Sequence, residues 1–196
     1  MLVGIDEVGR GCWAGPLVAG AVLLSDQIAG LKDSKKLSKK QRERLDAEVR
    51  VQALAFGIGW VTPREVDAWG LTKAVQVAME RALAEIDVPY DDIIIDGSLN
   101  FMKDNPKAHA IIKADDSVPA VSAASIIAKV ARDDYMARAS IKYPGYGFES
   151  HVGYGTAQHI HALTSLGICE LHRLSYKPIQ IIVQTERNQL ETNDWL

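Results

Sequence analysis

The sequence predicts an α/β fold, a single sheet with helices packed on it, and two features carry that reading. Short apolar runs of strand length recur along the 196 residues. Between them lie longer segments whose apolar residues repeat at helical spacing. The order of the strands within the sheet does not follow from this pattern.

Met1 to Ile5 reads as a first strand that ends at Asp6-Glu7, with Gly9 and Gly11 easing its exit. Leu17 to Leu24, rich in Val, Ala and Leu, is a second. Ser38-Lys39-Lys40-Gln41 has the Ser-x-x-Gln form of a capping box. A charged helix from about Lys39 to Val51 follows, with Leu45 and Val49 inward. Ala53 to Val61 is a third strand containing two glycines. From Glu65 to Ile86, the residues Val66, Leu71, Val75, Ala78, Met79, Ala82 and Leu83 keep helical spacing. Ile93-Ile94-Ile95 is a short, β-branched, buried strand that stops at Asp96-Gly97. His109 to Lys113 is a fifth strand candidate. Ser117 is placed as the cap of a long helix reaching about Ile141, and its small centre, Ser122-Ala123-Ala124-Ser125, lets it lie close to a sheet. Thr156 caps a further helix ending at Gly167, where a left-handed C-cap belongs. The polar stretch from Gln184 to Leu196 reads as a flexible tail.

Composition bounds the function. With 47% hydrophobic and 24% charged residues, the chain suits one globular domain over 1–196. Its net charge of -3, from 22 Lys plus Arg against 25 Asp plus Glu, gives no global sign of nucleic-acid binding, so any basic surface must be local. Lys32 to Arg44 supplies one: Lys32, Lys35, Lys36, Lys39, Lys40, Arg42 and Arg44. Taken alone, this patch reads more readily as a solvated helix face. No run approaches ~18 consecutive apolar residues, so no membrane span is expected, and no signal peptide is visible. Cys12 and Cys169 form no metal or disulfide motif and suit a reducing, cytoplasmic setting. His159 and His161, two apart, face different sides of a helix and are rejected as a metal pair. His109, His151 and His172 are read as structural or surface residues, and Cys12 and Trp13 as packing residues.

Asp6, Glu7, Asp96 and Asp115 share a placement after apolar segments. A carboxylate near a core must be hydrogen-bonded, paired or metal-bound, and in the segments leading to these four acids the only cation is Lys113. Divalent magnesium or manganese, which favour oxygen ligands, fits. Such a cluster suits phosphodiester hydrolysis by two metals roughly 3.5–4 Å apart. Each acid alone also reads as a strand-end cap or turn former, as the Asp96-Gly97 dipeptide illustrates. Successive strand residues point to opposite faces, so Asp6 and Glu7 reach one site only if the strand ends there.

Gly4-Ile5-Asp6-Glu7-Val8-Gly9-Arg10-Gly11 resembles the opening signature of ribonuclease HII. The likeness continues through Asp33-Ser34-Lys35-Lys36-Leu37-Ser38, Ile95-Asp96-Gly97, Lys113-Ala114-Asp115, Ser122 to Lys129, Tyr146-Gly147-Phe148, Gly153-Tyr154-Gly155-Thr156 and His172 to Pro178. These blocks run in family order along almost the whole chain. The resemblance implies a ribonuclease H-like fold: a five-stranded mixed sheet flanked by helices, with a C-terminal helical extension over about 145–183. It implies that the strand ending at Asp96 lies beside the one ending at Asp6. It also implies an endonuclease that cuts the RNA strand of RNA–DNA hybrids and incises 5′ of single ribonucleotides in duplex DNA, leaving 3′-hydroxyl and 5′-phosphate ends. Asp6, Glu7, Asp96 and Asp115 match the family's acidic metal-holding positions, with Asp115 favoured over Asp116. Gly9, Arg10 and Gly11 match the segment that contacts the 2′-hydroxyl, the group that marks RNA. Tyr154 matches the tyrosine that packs on the neighbouring sugar. The likeness moves Ser34, Lys35 and Lys36 toward phosphate binding.

Two departures bear on substrate preference. The family often has Lys where this chain has Val152, and many members have Asn where it has Gly70. Ribonuclease HIII carries an extra N-terminal domain, for which the five residues before Asp6 leave no room. A monomer without a clear sliding-clamp motif is expected. The rivals are a DNA-cutting nuclease on the same fold and a non-catalytic binding module, whose mark would be a missing carboxylate.

Overall fold

The computed structural model describes residues 1–193, and the side chains of residues 1–185. Its centre is a five-stranded mixed sheet. Strands β1 (Leu2–Val8), β2 (Leu17–Leu23) and β3 (Ala55–Val61) pair antiparallel in sequence order. Strand β4 (Asp92–Asp96) pairs parallel with β1, and β5 (Ala108–Ile111) pairs parallel with β4, giving the order β3-β2-β1-β4-β5. Ile5 aligns with Ile95, so the ends of β1 and β4 lie side by side, as the resemblance implied. The first strand runs on to Val8, not to Ile5 as read from sequence. Its partner β2 continues beside it through the Val8–Val18 pair, and a strand ends where its ladder ends rather than where its apolar run does.

Alternation along the strands gives the sheet two different faces. Val3 and Ile5 of β1 join Leu17, Ala19, Ala21 and Leu23 of β2 under helix α2 (Pro63–Leu83). Gly4 and Asp6 face the other way, toward helix α4 (Pro119–Lys142). That helix lies nearly backbone to backbone on the sheet. A Cβ at Gly4 would sit 2.2 Å from the Ala120 carbonyl carbon, and one at Gly20 would sit 2.4 Å from the Ala124 oxygen. The approach is made at Ala120 and at Ala124, the latter within the small segment Ser122–Ser125 singled out in the sequence.

Side-chain caps fix the starts of three helices. Helix α1 (Lys39–Gln52) opens on the reciprocal Ser38–Gln41 capping box, and α2 opens on a second one, Thr62–Glu65, with Pro63 in the first turn. Helix α2 is interrupted at Gly70, whose φ of 75° and ψ of 161° are open essentially to glycine alone. An asparagine does not fit this backbone. The long helix does not start at Ser117. That residue ends a separate turn, α3 (Ala114–Ser117), and α4 begins at Pro119. Proline disfavours helical geometry in the residue before it, so Val118 is extended and splits the two.

The C-terminal extension comprises α5 (Phe148–His151), α6 (Ala157–Leu166) and α7 (Lys177–Asn193). The Thr156 hydroxyl accepts from His159 N–H at the start of α6, and Gly167 ends it with φ 72°. Phe148, Leu163, Leu171 and Ile179 pack with Met136 of α4 into a core of their own. The segment from Gln184, expected to be a flexible tail, continues α7 as far as Asn193. It contains neither glycine nor proline and is rich in good helix formers. The expectation for residues 194–196 lies outside the described residues.

Candidate active site

Three carboxylates converge at the parallel edge of β1 and β4. Asp6 comes from β1, Asp96 ends β4 and Asp115 sits in α3; each offers one oxygen, and these lie within 4.8 Å of one another. Asp96 assembles the site from its own end: its Oδ1 accepts from the amides of Ala114 at 2.8 Å and Asp115 at 3.5 Å. The Ser122 hydroxyl of α4 donates to the Asp115 carbonyl at 2.6 Å. Asp6 is 7% exposed. Burial, reinforced by the charges of Glu7 and Asp96, pushes its carboxyl up to about 8, against the lowering hydrogen bond from Ser125. Burial, with Asp96 adding to it, also raises Asp115. Asp116, the neighbour passed over in sequence, is exposed and receives a 2.5 Å bond from Lys36.

Glu7 stands apart from this trio. Because β1 continues to Val8, Glu7 points to the face opposite Asp6, and it is not among the acids whose oxygens meet. Its Oε1 accepts from Arg10 at 3.0 Å, whereas Oε2 is buried with no hydrogen-bond partner. Burial raises its carboxyl, opposed by Arg10 and raised further by Asp96. It therefore borders the cluster from the side.

A cleft of about 370 Å³ opens from Asp6 and is bordered by Glu7 to Gly11, Ser34, Lys35, Ser125, Lys129 and Tyr154. Gly9 takes φ 90°, and a Cβ there would meet the Arg132 side chain at 2.4 Å. Gly11 lies under Tyr154, with its Cβ position 4.0 Å from Cε1 of that ring. Tyr154 is 43% exposed, and its hydroxyl lies against the Cys12 thiol. Val152 and Gly70 are not part of the cleft lining.

The basic turn contributes unequally. Ser34 is 5% exposed, and its hydroxyl lies 3.0 Å from that of Ser125. It therefore braces the serine that bonds Asp6 while bordering the same cleft. Lys35 lines the cleft, while Lys36 is occupied by Asp116. The charge of Lys35 also acts on Asp115, so a cation from a remote turn reaches this acid.

Two buried arginines had no role in the sequence reading, Arg132 and, within its motif, Arg173. Arg132 of α4 donates to the carbonyls of Pro16 at 2.8 Å, Val152 at 2.9 Å and Ala14 at 3.1 Å. Arg173 donates to Gly15 at 2.9 and 3.1 Å and to Arg10 at 3.2 Å. Both are 0% exposed, and together they shape the loop that carries Gly9-Arg10-Gly11. An arginine buried against main-chain carbonyls has no local sequence pattern. Lys129, which lines the cleft and pairs with Asp133 at 2.7 Å, was quoted only within its block.

Acidic side chains gathered where β1 and β4 end, on a mixed five-stranded sheet with helices on both faces, define a nuclease of the ribonuclease H-like class. Within that class the chain belongs to the ribonuclease HII family, whose model, described as Ribonuclease HII, matches residues 3–179. These are nucleases that hydrolyse RNA in RNA–DNA hybrids, and this chain is one. Ribonuclease HII of Halorhodospira halophila is 46% identical over 182 residues, covering 91% of this chain and 93% of that one. The solved ribonuclease H2 from Pyrococcus horikoshii OT3 superposes with TM-score 0.82 at 27% identity, covering 95% of this chain and 98% of that chain. RNase HII from Archaeoglobus fulgidus, solved in complex with PCNA, gives 0.78 at 28% identity, covering 93% and 96%. No helix among the described residues is long and apolar enough to cross a membrane.

Proposed function

We propose that this chain is an endoribonuclease that uses magnesium or manganese, cuts the RNA strand of hybrids, and incises 5′ of single ribonucleotides in duplex DNA. The observation that carries this reading is the meeting of Asp6, Asp96 and Asp115 within 4.8 Å, in a site whose cleft also holds Gly9-Arg10-Gly11 and Tyr154.

The residues suit a hard divalent cation. The donors are all carboxylate oxygens, the carboxyl of Asp6 is driven up to about 8 by burial and then by its acidic neighbours, and Glu7 keeps a buried oxygen without a partner. Asp6, Asp96 and Asp115 would hold the metal, with Glu7 at its border. Bound there, it would neutralise the scissile phosphate and make water a better nucleophile, leaving 3′-hydroxyl and 5′-phosphate ends. The protein's own part is positioning. The backbone of Gly9 to Gly11 lies open to a 2′-hydroxyl, Tyr154 offers a ring face to the adjoining sugar, and Lys35 meets the backbone phosphate. Ser34 and Ser125 hold Asp6, and Lys36 answers Asp116.

All of this falls in one catalytic domain, with 145–183 as its extension. A monomer in a reducing cytoplasm goes with the reading, as the free Cys12 and Cys169 suit. The test is a duplex bearing one ribonucleotide, incubated with either metal. Incision on its 5′ side is expected. Absence of cutting with both metals, or equal cutting of all-DNA duplex, would overturn the reading.

A further inference from the structure

Three histidines far apart in sequence meet beneath the loop that carries Tyr154. His151, His159 and His172 are 6%, 0% and 2% exposed. The His151 and His159 rings stack with centroids 4.4 Å apart, and Nε2 of His159 lies 3.1 Å from Nε2 of His172.

Backbone partners fix every proton in this cluster. The Cys169 amide donates to Nδ1 of His172 at 2.8 Å, so that nitrogen is bare and the proton sits on Nε2. Nδ1 also lies 3.1 Å from the Cys169 carbonyl, but the amide decides, since it can only donate. Nε2–H of His172 then donates to Nε2 of His159. His159 must carry its proton on Nδ1, which donates to the Tyr154 carbonyl at 2.9 Å. In the same way the Gly153 amide donates to Nδ1 of His151 at 3.1 Å, and Nε2–H of His151 donates to the Tyr146 carbonyl at 2.7 Å.

We propose that the His172–His159 pair is a one-way hydrogen-bond relay that positions Tyr154, so that these are specificity-positioning residues for the reaction. The inference rests on the reading of Tyr154 as the residue that packs on the sugar beside the ribonucleotide. A buried polar network specifies one arrangement where an apolar filling would tolerate several. Here it ends on the main chain of the residue whose ring must meet a sugar. Burial holds both histidines near 4, neutral in the working range, as the relay requires.

Two measurements test it on the whole protein. Imidazole nitrogen NMR at neutral pH should find His172 protonated on Nε2 and His159 on Nδ1; the opposite tautomers, or charged rings, overturn the relay. In kinetics, His159→Leu should raise KM on a single-ribonucleotide duplex about three- to tenfold, the value of one lost hydrogen bond. The kcat, and KM on a continuous hybrid, should change far less. His159→Asn, whose amide N–H replaces Nδ1–H, should recover most of the loss. Equal KM rises on both substrates, or Asn no better than Leu, overturn the proposal. Tyr154→Ala run in parallel separates the failures. A substrate ratio unchanged in Tyr154→Ala overturns the reading of Tyr154 and the relay's purpose with it. A ratio lowered in Tyr154→Ala but not in His159→Leu overturns the relay alone.

Discussion

Asp6 is the residue at which stability and chemistry pull apart. Its carboxyl, ordinarily near 3.8, stands at about 8 in the fold. Between those values the folded chain holds a proton that the unfolded chain has released. The contribution of Asp6 to stability without metal is therefore full only below about 3.8 and is lost as pH rises toward 8. Asp6→Asn removes that penalty. In chelator at pH 8 the variant should melt above the wild type, by about 2–4 °C for each kcal/mol relieved. Its incision should fall roughly a hundredfold or more, since a direct ligand matters at least as much as the groups behind it. An equal or lower melting temperature in chelator would contradict this. The buried arginines behave oppositely. Arg173→Met strands the Gly15 and Arg10 carbonyls and should lower unfolding free energy by about 2–5 kcal/mol in urea titration. A loss below 1 kcal/mol would show that water replaces the guanidinium.

Among the elements, β1 and α4 set the site by how closely they approach. Gly4→Ala places a methyl 2.2 Å from the Ala120 backbone, which α4 can relieve only by lifting off the sheet. A cost of about 1–3 kcal/mol and a loss of activity should appear together, because Ser125 leaves Asp6. Gly11→Ala is the contrast. Its Cβ position is open apart from Tyr154 Cε1 at 4.0 Å, so stability should stay within about 0.5 kcal/mol while KM rises. Melting curves and initial rates on the same samples check both. What was legible here was local. The Ser38–Gln41 box, the Thr156 to Gly167 helix and the small residues of α4 each announce themselves within a few positions. The end of β1 was not legible, because its pairing with β2 decides it, and with it goes the direction of Glu7. Nor was the turn at Asp115, separated from α4 by the constraint of Pro119. The strand order came from the family likeness, not from periodicity. The histidine cluster joins residues 8 and 13 positions apart on different elements, so helical spacing, which bears only on His159 and His161, could not show it, and His151 and His172 stood as isolated residues.

At the scale of the molecule, the sheet and the C-terminal extension carry opposite pH responses. His159 and His172 lie in the extension, and burial lowers both from 6.5 to about 4. The unfolded chain therefore binds protons that the fold refuses, so their contribution is complete above about 6.5 and is lost as pH falls toward 4. Together they change stability by up to about 2.8 kcal/mol per pH unit in that window. Asp6 opposes them by up to about 1.4, and Glu7 and Asp115, also raised by burial, act in the sense of Asp6 just above their ordinary range. Above about 6.5 the histidines are silent and only the carboxylates remain. Melting temperature in chelator should therefore turn over near pH 6.5, falling on the alkaline side. A divalent cation held by the ionised carboxylates removes the alkaline decline and leaves the acid one. The metal-induced rise in melting temperature should grow steadily from pH 6 to pH 8 and shrink toward zero at pH 5. Thermal melts from pH 4.5 to 8.5, with chelator and with magnesium, measure both limbs. A metal effect that does not vary with pH would place the cation somewhere other than the buried Asp6.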